Sequence, residues 1–219
     1  SNRAAKFHEN LGYDKNKIVV INNGYDFNQF KEDNLLRKKT RLELGILDNE
    51  ILLGTIARWD PLKDHENLIS SLSIIKYPAN QKWKIILVGP NMNKENIQLE
   101  KLLLKYGINN KALLLGSKNN TVSYYNAMDI HILSSAGEAF PNVLAESMAC
   151  GTPCITTDVG EASQIVSNLG WVVPPKNKNA LAIAINEAID IFCKDKINWK
   201  KRKKQSIKHI LNKYKLNQM

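Results

Sequence analysis

A chain of 219 residues with 43% hydrophobic and 24% charged residues has the make-up of an ordinary globular protein, which excludes low-complexity and collagen-like classes. No apolar run reaches the roughly 20 residues that cross a bilayer, and the first residues lack the apolar stretch of a secretory signal. Residues Lys194 to Lys215 carry +9 of the net charge of +10, ten cations against Asp195, so the body is near neutral and any polyanion argument belongs to the tail.

In chain order, "KIVVIN" (17–22), "ILLGTIA" (51–57), "WKIILVG" (83–89), "ALLLG" (112–116), "DIHIL" (129–133), "PCITT" (153–157) and "GWVV" (170–173) read as strands. Their Val, Ile and Leu run continuously instead of alternating, which suits strands covered on both faces of a parallel sheet. Helix patterns fall at 65–76, 94–106, 121–128, 142–150, 161–167 and 177–193. Strand and helix in alternation predict an α/β fold with an open, doubly wound, Rossmann-like parallel sheet over 1–193. A basic C-terminal helix follows within 194–219. Its apolar stripe at Ile207, Ile210, Leu211 and Tyr214 is expected to dock on a preceding domain or a membrane surface.

In such sheets ligands bind where strands end and helices begin. The loop "SSAGEAFP" follows the strand ending at Leu133, and Pro141 or Asn142 opens the next helix. Glu138 stands in the loop and Glu146 one turn inside the helix. A helix N-terminus offers free N–H groups to an anion. Two carboxylates flanking such a site suit a ligand with hydroxyls on both sides of a phosphate, the layout of a nucleotide sugar.

The stretch "GEAFPNVLAESMACGTPCITTDVGEASQIV" resembles the donor-site motif of retaining GT-B-fold glycosyltransferases. "VINNGYDFNQF" (20–30), "GTIARWDPLKDHENLI" (54–69) and "GWVVPP" (170–175) are similar to other segments of that family, and the likeness covers about 18–190. It implies that Glu146 binds the ribose hydroxyls and that Glu138 contacts the transferred sugar near its reacting carbon. Arg58 and Lys63 would hold the diphosphate as it leaves, with backbone N–H groups around Gly137, Phe140, Asn142 and Val143 completing the cradle. The family implies a UDP- or GDP-sugar donor and no metal ion or other cofactor; two fixed cations can stand in for one. Glu161, where Gly or Asp is common, and Ala139, where Gly is frequent, depart from the pattern. The family's N-terminal acceptor domain, which would meet an acceptor glycan or lipid-linked sugar, is expected to be absent from this chain, leaving a fragment inactive alone.

Other residues read as structural. His65 suits helix-start packing, and His131, Met148, Trp59 and Trp171 suit the interior. Cys150, Cys154 and Cys193 have no metal-ligand spacing and read as free thiols. The "GSKNNT" loop (116–121) is placed to contact a base through its backbone. The lysine run 200–204 reads as a solvated face or an attraction to anionic lipid at the inner face of a cell membrane, consistent with a cytoplasmic or peripheral location. Trp199 and Tyr214 are too few to make a stacking platform for nucleic acid. Competing functions are a GT-B-fold nucleotide-sugar 2-epimerase and a non-catalytic nucleotide- or nucleic-acid-binding module.

Overall fold

The computed structural model describes residues 2–21, 23–76 and 82–215. Its elements run α1 (Asn2–Asn10), α2 (Asn34–Glu43), β1 (Ile51–Ile56), α3 (His65–Leu72), β2 (Trp83–Val88), α4 (Ile97–Lys105), β3 (Ala112–Gly116), α5 (Val122–Ala127) and β4 (Ile130–Leu133). They continue with α6 (Asn142–Ala149), β5 (Cys154–Thr157), α7 (Ala162–Val166), β6 (Trp171–Val173), α8 (Lys178–Lys194) and α9 (Lys196–Lys213). The six strands are parallel in the order β3-β2-β1-β4-β5-β6. Successive strands move outward from β1 to β3, then return to the other side of β1. The order therefore reverses between β1 and β4, and a crevice opens there at the strand ends.

β1 and β4 are buried along their whole length, as their continuous apolar runs require. One sheet face packs Ile51, Leu53, Ile85 and Leu87 against Leu68 and Leu72 of α3, Leu99 of α4 and Ile185 of α8. Leu52, Ile86 and Val88 pack with Tyr125 of α5 and Met128 on the other. A third cluster joins Leu144 and Met148 of α6 to Ile165 of α7, Ile210 of α9, Tyr214 and Tyr25.

Three expectations change. Residues 18–21 form no strand, and the last residue of that segment lies outside the described residues. Val19 and Ile21 are 80% and 71% exposed. A strand needs a partner for its backbone groups, and among the described residues this segment has none. Second, α1 and α2 were not expected. Asp33 caps α2 by accepting from Leu36 N at 2.9 Å. Arg41 of α2 is buried with Asp129, whose carboxylate also accepts from Leu52 N at 2.8 Å. That network ties α2 to the base of β1 and β4. Third, the stripe of α9 is not an open docking face. Ile210 and Tyr214 are buried against this chain's own α6 and α7, and Ile207 lies beside Gly151. Only Leu211 of the four keeps substantial exposure. Tyr25 N donates to Tyr214 O at 2.9 Å, which anchors the end of the helix.

Candidate active site

The loops after β1 and β4 meet at the reversal point. Ala136 N donates to Leu62 O at 2.8 Å, and Ser134 Oγ donates to Lys63 O at 2.9 Å. Asp60 and Asp64 shape the first loop. Asp60 accepts from Leu62 N at 2.8 Å and starts a 3₁₀ turn over Pro61–Lys63. Asp64, at φ 47°, ends that turn and caps α3 through Asn67 N at 3.3 Å. The outcome is that Lys63 reaches across to Glu138 and pairs with its Oε1. Ser135 Oγ donates to the same oxygen at 2.7 Å.

The loop after β5 supports Glu138 from beneath. Gly160 sits at φ 51°, and a Cβ there would lie 2.4 Å from both Glu138 O and Ala139 O. A glycine is therefore required by close approach as well as by backbone conformation. Glu161 N donates to Ala139 O at 3.2 Å. The buried Glu161 carboxylate accepts from Arg3 N at 3.0 Å, so the departure from the family pattern here is an anchor for α1. Thr157 Oγ1 donates to Ser135 O at 2.6 Å and completes the three-loop junction.

Arg58 has a different setting. Its side chain is 59% exposed, and the guanidinium pairs with Asp60 at 3.0 Å. The Leu62 N–H first, then Arg58, hold the Asp60 carboxyl below its ordinary range. His65 packs as expected: it stacks on Trp59 with centroids 5.1 Å apart, and its Nε2 meets Arg58 O at 2.9 Å. Burial pushes its pKa down, which favours the neutral ring.

α6 begins at Asn142 with Pro141 as N-cap and no side-chain cap, so its first N–H groups have no side-chain acceptor. Asn142 spends its Oδ1 on Tyr25 OH at 2.6 Å and Asn23 Nδ2 at 2.8 Å. Phe140 packs on Tyr25 and Tyr214, and Val143 is partly buried in the core. Any part these residues take in binding at the helix end is thus a backbone one. Gly137 has room, with Leu62 Cδ2 3.5 Å from a would-be Cβ. Glu146 is half-buried and accepts from Tyr125 OH at 2.7 Å. Burial raises its pKa, and the tyrosine bond opposes the rise.

The structure thus brings Lys63 and Glu138 into contact, while the contacts of Arg58 and Glu146 run to Asp60 and Tyr125. Ser135, Tyr125, Asn23 and Tyr25 were not singled out from sequence. The last two lie in the quoted 20–30 segment, but only the fold shows that they grip Asn142. Two clefts flank the junction. One of about 380 Å³ is lined by Trp59, Asp60, His65 and Gln98, and one of about 670 Å³ by Leu62, Asp64, Ala136 and Lys176. Glu138 and Glu146 line neither. Met148 is buried, Trp171 is partly buried against the core, His131 is fully buried, and the cysteines are free thiols, with Cys150 and Cys154 buried. Among the described residues, no helix is long and apolar enough to cross a membrane.

The family model described as "Glycosyl transferases group 1" matches residues 37–208. The chain is 29% identical over 182 residues to the capsular polysaccharide biosynthesis glycosyltransferase CapM of Staphylococcus aureus, covering 80% of this chain and 47% of that protein. The chain spans about half the length, or less, of the curated relatives it matches. Among solved structures it is similar to a glycosyltransferase from Rickettsia africae ESF-5, with TM-score 0.85 and 26% identity over 97% of this chain and 57% of that one. It shares its fold with HepE from Anabaena, solved in complex with UDP and glucose. That match has TM-score 0.87 and 23% identity, covering all of this chain and 59% of HepE.

Proposed function

Because the chain belongs to the glycosyl transferases group 1 family, we propose that it is the nucleotide-sugar-binding part of a retaining hexosyltransferase that builds a cell-surface polysaccharide or glycolipid. The observation that carries this reading is the junction of the β1 and β4 loops, which sets Lys63 against Glu138 at the strand-order reversal. The likeness in fold to HepE, solved with UDP-glucose, supports a nucleotide-sugar donor.

In this reading Glu146 takes the ribose hydroxyls and the open N-terminus of α6 faces the diphosphate. Arg58 and Lys63 supply the positive charge. When the bond from the sugar carbon to the diphosphate breaks, negative charge grows on the departing phosphate. Fixed cations and helix N–H groups stabilise that charge without reorganising. Glu138 lies beside Lys63 and therefore beside the breaking bond. The Arg58–Asp60 pair is exposed and weak, so a diphosphate can displace Asp60.

The acceptor would be held by a second domain. Phe7, Leu11, Tyr13, Val19 and Ile21 are each more than 60% exposed and suit contact with such a domain. The solvent face of α9 carries Lys200, Lys201, Lys204 and Lys208 with Ile197, 84% exposed, and suits an anionic lipid surface. Trp199 and Tyr214 are buried, which removes the aromatic platform a single-stranded nucleic acid would use.

A calorimetric screen of the chain against UDP, GDP, ADP, their sugar conjugates and the matching nucleosides tests the reading. A diphosphate should bind far more tightly than its nucleoside. Failure of every diphosphate to bind would sink it.

A further inference from the structure

Glu146 is partly buried, and one of its two carboxylate oxygens is taken. Tyr125 OH donates to Oε2 at 2.7 Å. Among the described residues the carboxylate has no cationic partner and no second hydrogen bond. A carboxylate has about four acceptor sites, so Oε1 is left for a ligand with hydroxyl donors. Burial by itself works against the charge that makes it a good acceptor.

Tyr125 is held unusually firmly. The residue is fully buried. Its ring meets His131 edge-on at 5.6 Å and Phe30 at 6.4 Å. Its carbonyl accepts from Thr152 Oγ1 at 2.6 Å, and Thr152 N in turn donates to Ser147 O on α6 at 3.0 Å. The tyrosine is thus fixed to the helix that carries Glu146 by two routes, one through its hydroxyl and one through its backbone. The ring position therefore sets the phenol oxygen at Glu146.

We propose that Tyr125 is the positioning residue for ribose recognition: by occupying Oε2 of Glu146 it aims Oε1 at the sugar of a ribonucleotide. This rests on the reading of Glu146 as the ribose ligand. Tyr125 touches no ligand itself, and its contribution is selection of ribonucleotides over their 2′-deoxy forms.

Burial shifts the tyrosines, the cysteines and His131 around Glu146 away from the neutral range. Tyr25 and Tyr125 are both pushed up by burial and by the Glu146 charge. Cys150 is pushed up to about 12 and Cys154 on β5 also to about 12 by burial. His131 on β4 is pushed down to about 3. On α9, Lys203 is paired with Glu32 at 2.7 Å, and the His209 ring is biased toward neutrality by burial. On the α7 side, Glu161 is held by Arg3 N.

The test measures calorimetric affinities of UDP, GDP, 2′-deoxy-UDP and 2′-deoxy-GDP from pH 4.5 to 8. The proteins are wild type, Tyr125→Phe, Glu146→Gln and the double variant. Wild type should prefer the ribo form. Tyr125→Phe should lose about tenfold in affinity for it, the size of one hydrogen bond to a charged group. It should lose little for the deoxy form, and its pH midpoint for binding should move upward. In the Glu146→Gln background the tyrosine change should be silent. Unchanged discrimination and an unchanged pH midpoint in Tyr125→Phe would overturn the proposal, as would equal losses for ribo and deoxy forms. If Tyr125→Phe does not fold, Glu146→Gln decides through its preference for the ribo over the deoxy form: a preference that persists without the carboxylate removes the basis of the proposal. If wild type fails to discriminate, the ribose reading of Glu146 itself falls.

Discussion

Lys63 and Glu138 form an ion pair across the loops after β1 and β4, with side chains only 17% and 13% exposed. Each is the other's competitor for a ligand. On the proposed reading, a diphosphate draws Lys63 away from Glu138, and the released carboxylate is then free to face the sugar. Glu138→Gln should therefore tighten UDP binding severalfold while reducing sugar transfer. Lys63→Ala should weaken UDP by about tenfold, the cost of a charge-assisted hydrogen bond. Calorimetry with UDP alone separates the two; loss of affinity in both variants would mark a purely structural pair.

Burial of the Glu146 carboxylate costs stability where it is ionised. Its folded-state pKa is raised by burial, so above the ordinary carboxylate value the folded chain binds more protons than the unfolded one. Stability then falls as pH rises through the interval from the ordinary to the raised pKa. Glu146→Gln should raise Tm at pH 7.5, and the gain should vanish near pH 4. Thermal melts at the two pH values, without nucleotide, check this.

Gly160 is the floor of the Glu138 loop. Gly160→Ala adds a Cβ 2.4 Å from two carbonyl oxygens at a left-handed backbone position. The expected cost is about 1–3 kcal/mol. Affinity for a sugar nucleotide should fall more than affinity for the bare diphosphate, since the displaced segment carries Glu138. Denaturant melts and paired titrations measure both effects.

His131 makes the fold acid-sensitive. Its pKa is pushed down to about 3 by complete burial. Between pH 6.5 and about 3 the unfolded chain takes up a proton that the folded chain refuses, so stability drops as pH falls through that window. A His131→Asn variant should show a flatter pH dependence of Tm over the same range, whatever its absolute stability.

The lysine face of α9 should bind the 219-residue chain to phosphatidylserine vesicles but not to neutral ones at low salt. Reversing Lys200, Lys201 and Lys204 to Glu should abolish this without changing nucleotide affinity. A charge-reversal variant is preferable to truncation, because Tyr25 N donates to Tyr214 O and Tyr25 OH grips Asn142 at the head of α6. Co-sedimentation with both vesicle types alike would leave the face a solvated one.

Much of the sheet was legible because β1, β2 and β4 are covered on both faces and so read as unbroken apolar runs. The run at 17–22 misled for the same reason: apolar content shows a wish to be covered, and the partner that covers it is a separate matter. Helix α2 escaped notice because its buried face holds Thr40 and Arg41 while Leu35 and Leu42 point to solvent. Leu36 and Leu44 lie on the same side as Thr40 and pack on the core, but the charged and polar residues between them mask that period. Glu138, Lys63 and Glu146 were marked by motif and strand position. Tyr125 was not, because its role depends on a 2.7 Å meeting between two helices, and nothing local in "TVSYYNAM" announces it.

The parallel bridge between Tyr25 and Lys215 has a consequence for how the fold could be rebuilt. Positions far apart in sequence are neighbours in space, so a short glycine-rich linker could join them. New termini could then be opened at the exposed turn around Asn109, remote in sequence from the junction loops. Such a circular permutant of residues 25–215 keeps strand order and register but loses the Arg3–Glu161 and Asn23–Asn142 contacts, so it should fold with lower stability than the 219-residue chain. The six-stranded sheet would then be a portable part, one that could be inserted into the loop of another protein at a single place.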